Sequence, residues 1–194
     1  MPSRQELDFT FQQVGYRPTP EQMLIHLIDH RIKQVIGGWQ AGKSFVAAGE
    51  LLPKFPNGTL YWLIGADYER CRVEFGCLVD WFQKLGIIQP GGVSFPTRDQ
   101  CSLTLAGNIK IETKSAKYPE KIAGETVDGI ILCEAAQMPY DIFLRCLARL
   151  AGRRGWLVMS GTLETSLDWY ADLSKDLCIK DNKFDGVTFS LPSW

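Results

Sequence analysis

The sequence has no run of 18 apolar residues, so no stretch of it has the length and character of a membrane-spanning helix. Its first residues, MPSRQELDFTFQQ, lack the basic start and apolar core of a secretion signal. Histidine is scarce: only His26 and His30 occur. The six cysteines, Cys71, Cys77, Cys101, Cys133, Cys146 and Cys178, form no C-x-x-C pair and lie far from both histidines, which excludes the usual zinc-ligand spacings. Without an export signal they read as reduced thiols in a cytoplasmic compartment, most of them small core residues. An excess of either charge is also missing. Lys and Arg number 21 against 22 Asp and Glu, a net charge of −1. The whole chain therefore has no basic field to hold nucleic acid by counterion release, and any such contact needs a local patch, an assembly or a region outside this chain. There is no internal repeat and no low-complexity segment.

What is present is the balance of a globular domain. Hydrophobic residues make up 45% and charged residues 22% of 194 residues, enough for one domain, 1–194, with a sizeable core. Residues 1–18 read as a polar, aromatic-dotted leader that packs on this body. Thr19-Pro20-Glu21-Gln22 predicts a helix start, with an N-cap, a proline at the first helical position and a capping-box partner. Met23, Leu24, Leu27 and Ile28 form its apolar face. A short strand ending at Ile36 runs into a glycine-rich loop, and a helix follows from Lys43 to Leu52. A second buried strand spans 59–64 and a helix spans 67–85. Gly91-Gly92 breaks the chain. Residues 102–105 and 109–112 flank Ala106-Gly107-Asn108 as a β-hairpin. Val127–Cys133 is an apolar run of central-strand type, 142–150 a helix, and 156–160 a further core strand. The tail holds a last strand-like stretch, GVTFSL, and 187–194 reads as the start of a linker. Strands alternating with helices predict an α/β fold, a mainly parallel sheet between helical layers with an added antiparallel hairpin.

The loop Gly37-Gly38-Trp39-Gln40-Ala41-Gly42-Lys43-Ser44 matches G-x-x-x-x-G-K-[ST], between a strand and a helix as the phosphate-binding loop requires. Consecutive backbone N–H groups form a nest for a β-phosphate, and the helix presents its positive end to the same anion. Gly42 allows close approach, Lys43 reaches the β- and γ-phosphates, and the Ser44 hydroxyl ligates magnesium. ATP as substrate and Mg2+ as its metal follow, in the three-layer P-loop NTPase fold. Glu134 ends the apolar run 130–133, where it can orient and activate the attacking water. Its alternative is a capping or surface glutamate. Ser160-Gly161-Thr162 follows a core strand and can sense the γ-phosphate, or is a simple turn. Arg145, Arg149 and Arg153, four apart, share a face if their helix continues. They could meet a neighbouring subunit or DNA phosphates, or lie on a solvated face paired with local carboxylates. Trp39, a large apolar ring, is expected to pack on the domain rather than stack at an interface.

The order of these motifs, TPEQ, GGWQAGKS, TLYWLIGADYERCRVEF, the hairpin and SAKYPEKIAGETVDGIILCEAAQM, then SGT, resembles the ATPase domain of bacteriophage large terminase subunits. The resemblance runs from about Pro18 to the end of the chain. It implies that Gln22 reads adenine, that Lys43 and Ser44 hold phosphate and magnesium, that Glu134 is catalytic, and that Ser160, Gly161 and Thr162 couple hydrolysis to movement. It implies a motor that drives double-stranded DNA into a procapsid in the host cytoplasm. The partners would be a portal protein, a small terminase subunit and further copies in a ring, with no membrane. The nuclease domain of the family is not within these residues, so no DNA cleavage is expected of them.

Three positions depart from the family pattern. Cys133 precedes Glu134 where an aspartate usually supports magnesium, mostly through water, and a thiol cannot replace that hard oxygen. This predicts weaker magnesium dependence on that side, or compensation by another carboxylate. The loop positions Gly38, Trp39, Gln40 and Ala41 carry no arginine. Ala123 stands before Gly124 where some members place an arginine acting across the ring, with Lys117, Lys121 and Arg154 among the nearby cations. Two other readings fit the same motifs: a helicase-like P-loop translocase, and an ATP-binding assembly switch with little turnover.

Overall fold

A computed structural model describes residues 2–163 and 168–192. Eight strands form one sheet: β1 (Ile32–Gly37), β2 (Leu60–Gly65), β3 (Ile88–Ser94), β4 (Ser102–Leu105), β5 (Ile109–Ser115), β6 (Gly129–Leu132), β7 (Trp156–Gly161) and β8 (Gly186–Leu191). Their spatial order is β3-β4-β5-β2-β6-β7-β1-β8. From β5 to β8 every neighbouring pair is parallel, while β3-β4 and β4-β5 are antiparallel. This is the mainly parallel sheet with an added hairpin that the sequence predicts.

The strand pleat sorts side chains into two cores. Val35, Tyr61, Leu63, Ile131 and Val158 face one layer, made of α1 (Arg4–Val14), α2 (Pro20–Leu27), α3 (Lys43–Gly49) and α4 (Arg72–Lys84). Ile36, Trp62, Ile64, Ile130, Leu132 and Met159 face the other, covered by α5 (Tyr140–Ala151) and α6 (Asp168–Leu177). Burial on both faces explains why the central strands read as continuous apolar runs.

Several local readings change. The leader contains α1, which opens with a Ser3–Glu6 capping box, closes on left-handed Gly15 (φ 73°), and buries Leu7, Phe11 and Val14. The Ser-x-x-Glu spacing and the glycine were its legible signals. In α2 the capping box of Thr19 and Gln22 forms as predicted, but the buried residues are Met23, Ile25 and His26, and Leu24 is exposed. Gly91-Gly92 does not break the chain. It lies inside edge strand β3 at a register shift, with Gly91 left-handed at φ 69°, which only the absence of a Cβ makes cheap. Residues 187–191 belong to β8, in full parallel register with β1, rather than to a linker. Residues 193 and 194 lie outside the described residues. Arg153 lies beyond the end of α5, so it does not share a helix face with Arg145 and Arg149.

All six cysteines are free thiols, and Cys71, Cys101, Cys133 and Cys146 are buried. Among the described residues no helix is long and apolar enough to cross a membrane.

Candidate active site

The parallel strands β6, β7 and β1 are neighbours, so their C-terminal ends bring three distant segments to one edge of the sheet. β1 delivers the glycine-rich loop, β6 delivers Cys133 and Glu134, and β7 delivers Ser160, Gly161 and Thr162. Open α/β sheets bind ligands outside such strand ends. Here a cavity of about 500 Å³ lies over them, lined by the loop from Trp39 to Ser44 together with Glu134 and Thr162.

The loop has the backbone this role needs. Gln40 (φ 60°) and Gly42 (φ 78°) are left-handed, the geometry that turns successive N–H groups toward one point. A Cβ on Gly42 would also approach the Gln22 Nε2 to 2.5 Å, so the glycine is fixed by crowding as well as by φ. Gln22 is therefore held against the loop, its Oε1 accepting from the Thr19 N–H at 3.0 Å. Lys43 is buried and donates to the Gly38 carbonyl at 2.8 Å across the loop, a bond that a phosphate oxygen can replace.

A buried charge cluster braces both flanks of this loop. Glu50, just past α3, meets His26 of α2 (Nδ1 to Oε1, 2.7 Å), Lys33 of β1 (2.9 Å) and Lys54. Burial pushes the Glu50 carboxyl up, but Lys54, His26 and Lys33 outweigh it and hold the pKa well below 4.5. Lys33 also donates to the Ile25 carbonyl at 2.6 Å, tying α2 to β1.

Glu134 adopts φ 52°, ψ 50°, a left-handed conformation uncommon outside glycine and frequent at functional sites. Its N–H donates to the Ser160 hydroxyl at 3.4 Å, and that hydroxyl donates to the Leu132 carbonyl at 3.4 Å. Ser160 is thus no simple turn residue: it joins β7 to the backbone on both sides of Cys133. A Cβ on Gly161 would lie 2.9 Å from the Tyr170 ring, which packs α6 directly on this segment.

Four lining residues escaped the sequence reading: Phe45, Arg70, Val73 and Gln137. Arg70 gives the cavity a second cation besides Lys43, from the turn before α4. Trp39 does not pack on the domain. It is 76% exposed at the cavity mouth, because both cores are closed beneath the loop.

The acidic surroundings extend below the cavity floor. Burial pushes the Cys133 thiol well up, and neighbouring Cys71 and the Glu74 carboxylate push it further, so it stays a neutral thiol. Glu74 of α4 is itself buried against the Ser44 hydroxyl and the Cys133 thiol, yet among the described residues neither carboxylate oxygen has a hydrogen-bond partner of good geometry. Burial pushes its pKa up, opposed by Ser44 and Cys133 and reinforced by the Glu134 charge. No group of three or more His, Cys, Asp or Glu side chains among the described residues could hold a metal by itself. Magnesium that arrives with a nucleotide takes few protein ligands and keeps its phosphates and waters. The Ser44 hydroxyl beside an orphaned buried carboxylate suits such an ion.

The cationic candidates lie elsewhere. Arg145 pairs with Asp141 at 2.6 Å, and Arg153 pairs with Asp128 at 2.7 Å, the local pairing that the sequence reading allowed for. Arg149 is half-buried on α5 and has no ion pair or side-chain hydrogen bond among the described residues. Lys117 and Lys121 line a separate cavity with Tyr68 and Tyr118.

No protein-family model matches the chain. Two curated relatives do: the large terminase subunits of Thermus virus P23-45 and Thermus phage G20c, each 27% identical over 180 residues. Each match covers 84% of this chain and 37% of the relative, so the chain spans little more than a third of their length. Among solved structures, the ATPase domain of the Thermus phage P74-26 large terminase superposes with a TM-score of 0.76 at 23% identity, covering 94% of this chain and 84% of that one. The chain is similar in sequence to these large terminase subunits, and its fold is that of the P74-26 ATPase domain. The large terminase of the thermophilic bacteriophage D6E, solved with ADP, superposes with a TM-score of 0.67 at 13% identity, over 90% of this chain and 45% of that one.

Proposed function

We propose that this terminase-like domain binds ATP with magnesium at the loop 37–44, hydrolyses it, and serves as the motor that drives double-stranded DNA into a procapsid. The observation that carries this reading is the convergence of the phosphate loop, Glu134 and Thr162 on one cavity, with Ser160 bonded to the Glu134 backbone.

The loop amides and Lys43 bind the phosphates, Lys43 leaving the Gly38 carbonyl to do so. Gln22, already fixed against Gly42, borders the nucleotide and reads adenine. Ser44 provides the protein hydroxyl for magnesium, whose chemistry is to neutralise charge on the β- and γ-oxygens. Glu134 orients and activates water at the γ-phosphate. Loss of that phosphate changes what Glu134 faces, and Ser160 transmits the change to β7, Gly161 and α6. In this reading the portal protein, the small terminase subunit and neighbouring copies complete the machine in the host cytoplasm, and a cation from a neighbour supplies what the loop lacks. No nuclease activity belongs to these residues.

The test is steady-state ATP hydrolysis against protein concentration. Turnover should rise more than linearly with concentration, and Lys43→Ala and Glu134→Gln should each remove it. Loss of a positioned base costs about 10²–10⁴ in rate. Tight ATP binding with no turnover at any concentration would favour an ATP-dependent assembly switch, the reading supported by the thiol at Cys133.

A further inference from the structure

Glu74 is a buried carboxylate near the phosphate loop that, unlike Glu50, has no ion pair among the described residues. It is 1% exposed, and both of its oxygens are sealed from solvent with no hydrogen-bond partner of good geometry among the described residues. Its neighbours are the Ser44 hydroxyl and the Cys133 thiol, with Glu134 close enough to act on it electrostatically. A carboxylate buried without a partner is costly, so such a group is normally paired or faces a cation. The arrangement has a clear chemical logic. Cys133 ends the strand beside the phosphate loop but offers sulfur, a soft donor that magnesium does not take. The adjacent α4 offers a carboxylate instead, Glu74 in its first turn.

We propose that Glu74 supplies the missing second carboxylate on the magnesium side of the site, holding Ser44 and the metal's waters from α4 in place of a strand-borne acid at position 133. Glu74 acts through Ser44 and water, so it is a positioning residue. The inference rests on the nucleotide-site reading. It also accounts for the tolerance of a thiol at Cys133: the charge that position lacks has moved across to the neighbouring helix.

The test is calorimetric titration of the full chain with ADP, with and without magnesium, and of Mn2+ into the ADP-saturated chain followed by electron paramagnetic resonance. Glu74→Gln keeps the shape and removes the charge. It should leave metal-free ADP affinity unchanged and weaken the metal by about 10–100-fold, the usual cost of losing an outer-shell partner. Cys133→Asp added to Glu74→Gln should restore the metal affinity, because it returns a carboxylate to the same spot from the strand. If Glu74→Gln alone does not fold, the double variant carries the test, and metal affinity near that of the unaltered chain is the expected result. Unchanged metal affinity in Glu74→Gln, equal weakening with and without metal, or failure of Cys133→Asp to restore it would each overturn the assignment. Absence of ADP binding by the unaltered chain would instead overturn the nucleotide-site reading, and this one with it.

Discussion

Replacing Glu50 by glutamine removes the charge at the centre of the cluster that braces the phosphate loop. Both side chains of the Glu50–Lys33 pair are almost fully buried, at 2% and 3% exposure. The variant keeps the shape but leaves the Lys33 ammonium inside the protein with the Ile25 carbonyl as its remaining partner. Breaking a buried pair from one side costs about 3–5 kcal/mol. For a domain of this length that lowers Tm by about 6–20 °C, measured by calorimetry or circular dichroism. The deficit should depend on pH. The folded carboxyl titrates well below 4.5, so its contribution is fully present above the unfolded value and is lost as pH falls toward the folded one. The gap between the unaltered chain and Glu50→Gln should therefore narrow on acidification below about pH 4.5. Adding Lys33→Met should recover most of the loss at neutral pH, because most of the cost of breaking the pair from one side is the unpaired buried charge that this change removes. A Tm within about 2 °C of the unaltered chain, less than the shift expected for one kcal/mol, would refute the argument. So would a loss that Lys33→Met leaves unrepaired. Because the cluster joins α2, β1 and the end of α3, nucleotide affinity should fall along with stability.

Two further outcomes follow from the site. Gly42→Ala forces a side chain into left-handed backbone, at about 1–2 kcal/mol, and against the Gln22 amide. The free loop relieves that strain by leaving the left-handed conformation, so nucleotide binding must restore it and affinity by calorimetry should drop about 5–30-fold, while adding Gln22→Ala should relieve only the crowding. Arg149→Ala removes an arginine that makes no ion pair among the described residues, whereas Arg145→Ala removes one paired with Asp141. If α5 meets a neighbouring copy or DNA, Arg149→Ala should lower assembly-dependent ATPase or DNA binding without moving Tm, and unchanged values for all three would assign it to a solvated face.

Much of this molecule is written in local sequence. The phosphate loop was legible because its glycines, lysine and serine sit at fixed spacing between a strand and a helix. The start of α2 was legible because a capping box is a four-residue device. The central strands were legible because burial on both faces leaves an apolar run. Local sequence also marked Glu134 and Ser160-Gly161-Thr162 as ends of such runs. The hydrogen bond that joins them was not legible, because it depends on β6 and β7 being neighbours although 23 residues separate Leu132 from Trp156. The same holds for Glu50, whose partners on α2 and β1 come together only when three elements pack. Trp39 was misjudged because ring size favours burial, while the tertiary structure had already filled both cores and left the loop tip outside. Glu74 gave no signal at all, being one glutamate on an amphipathic helix. Which carboxylates surround Ser44 is decided by how α4 crosses the sheet, since burial and the loss of hydrogen-bond partners are properties of packing and not of the residues in line.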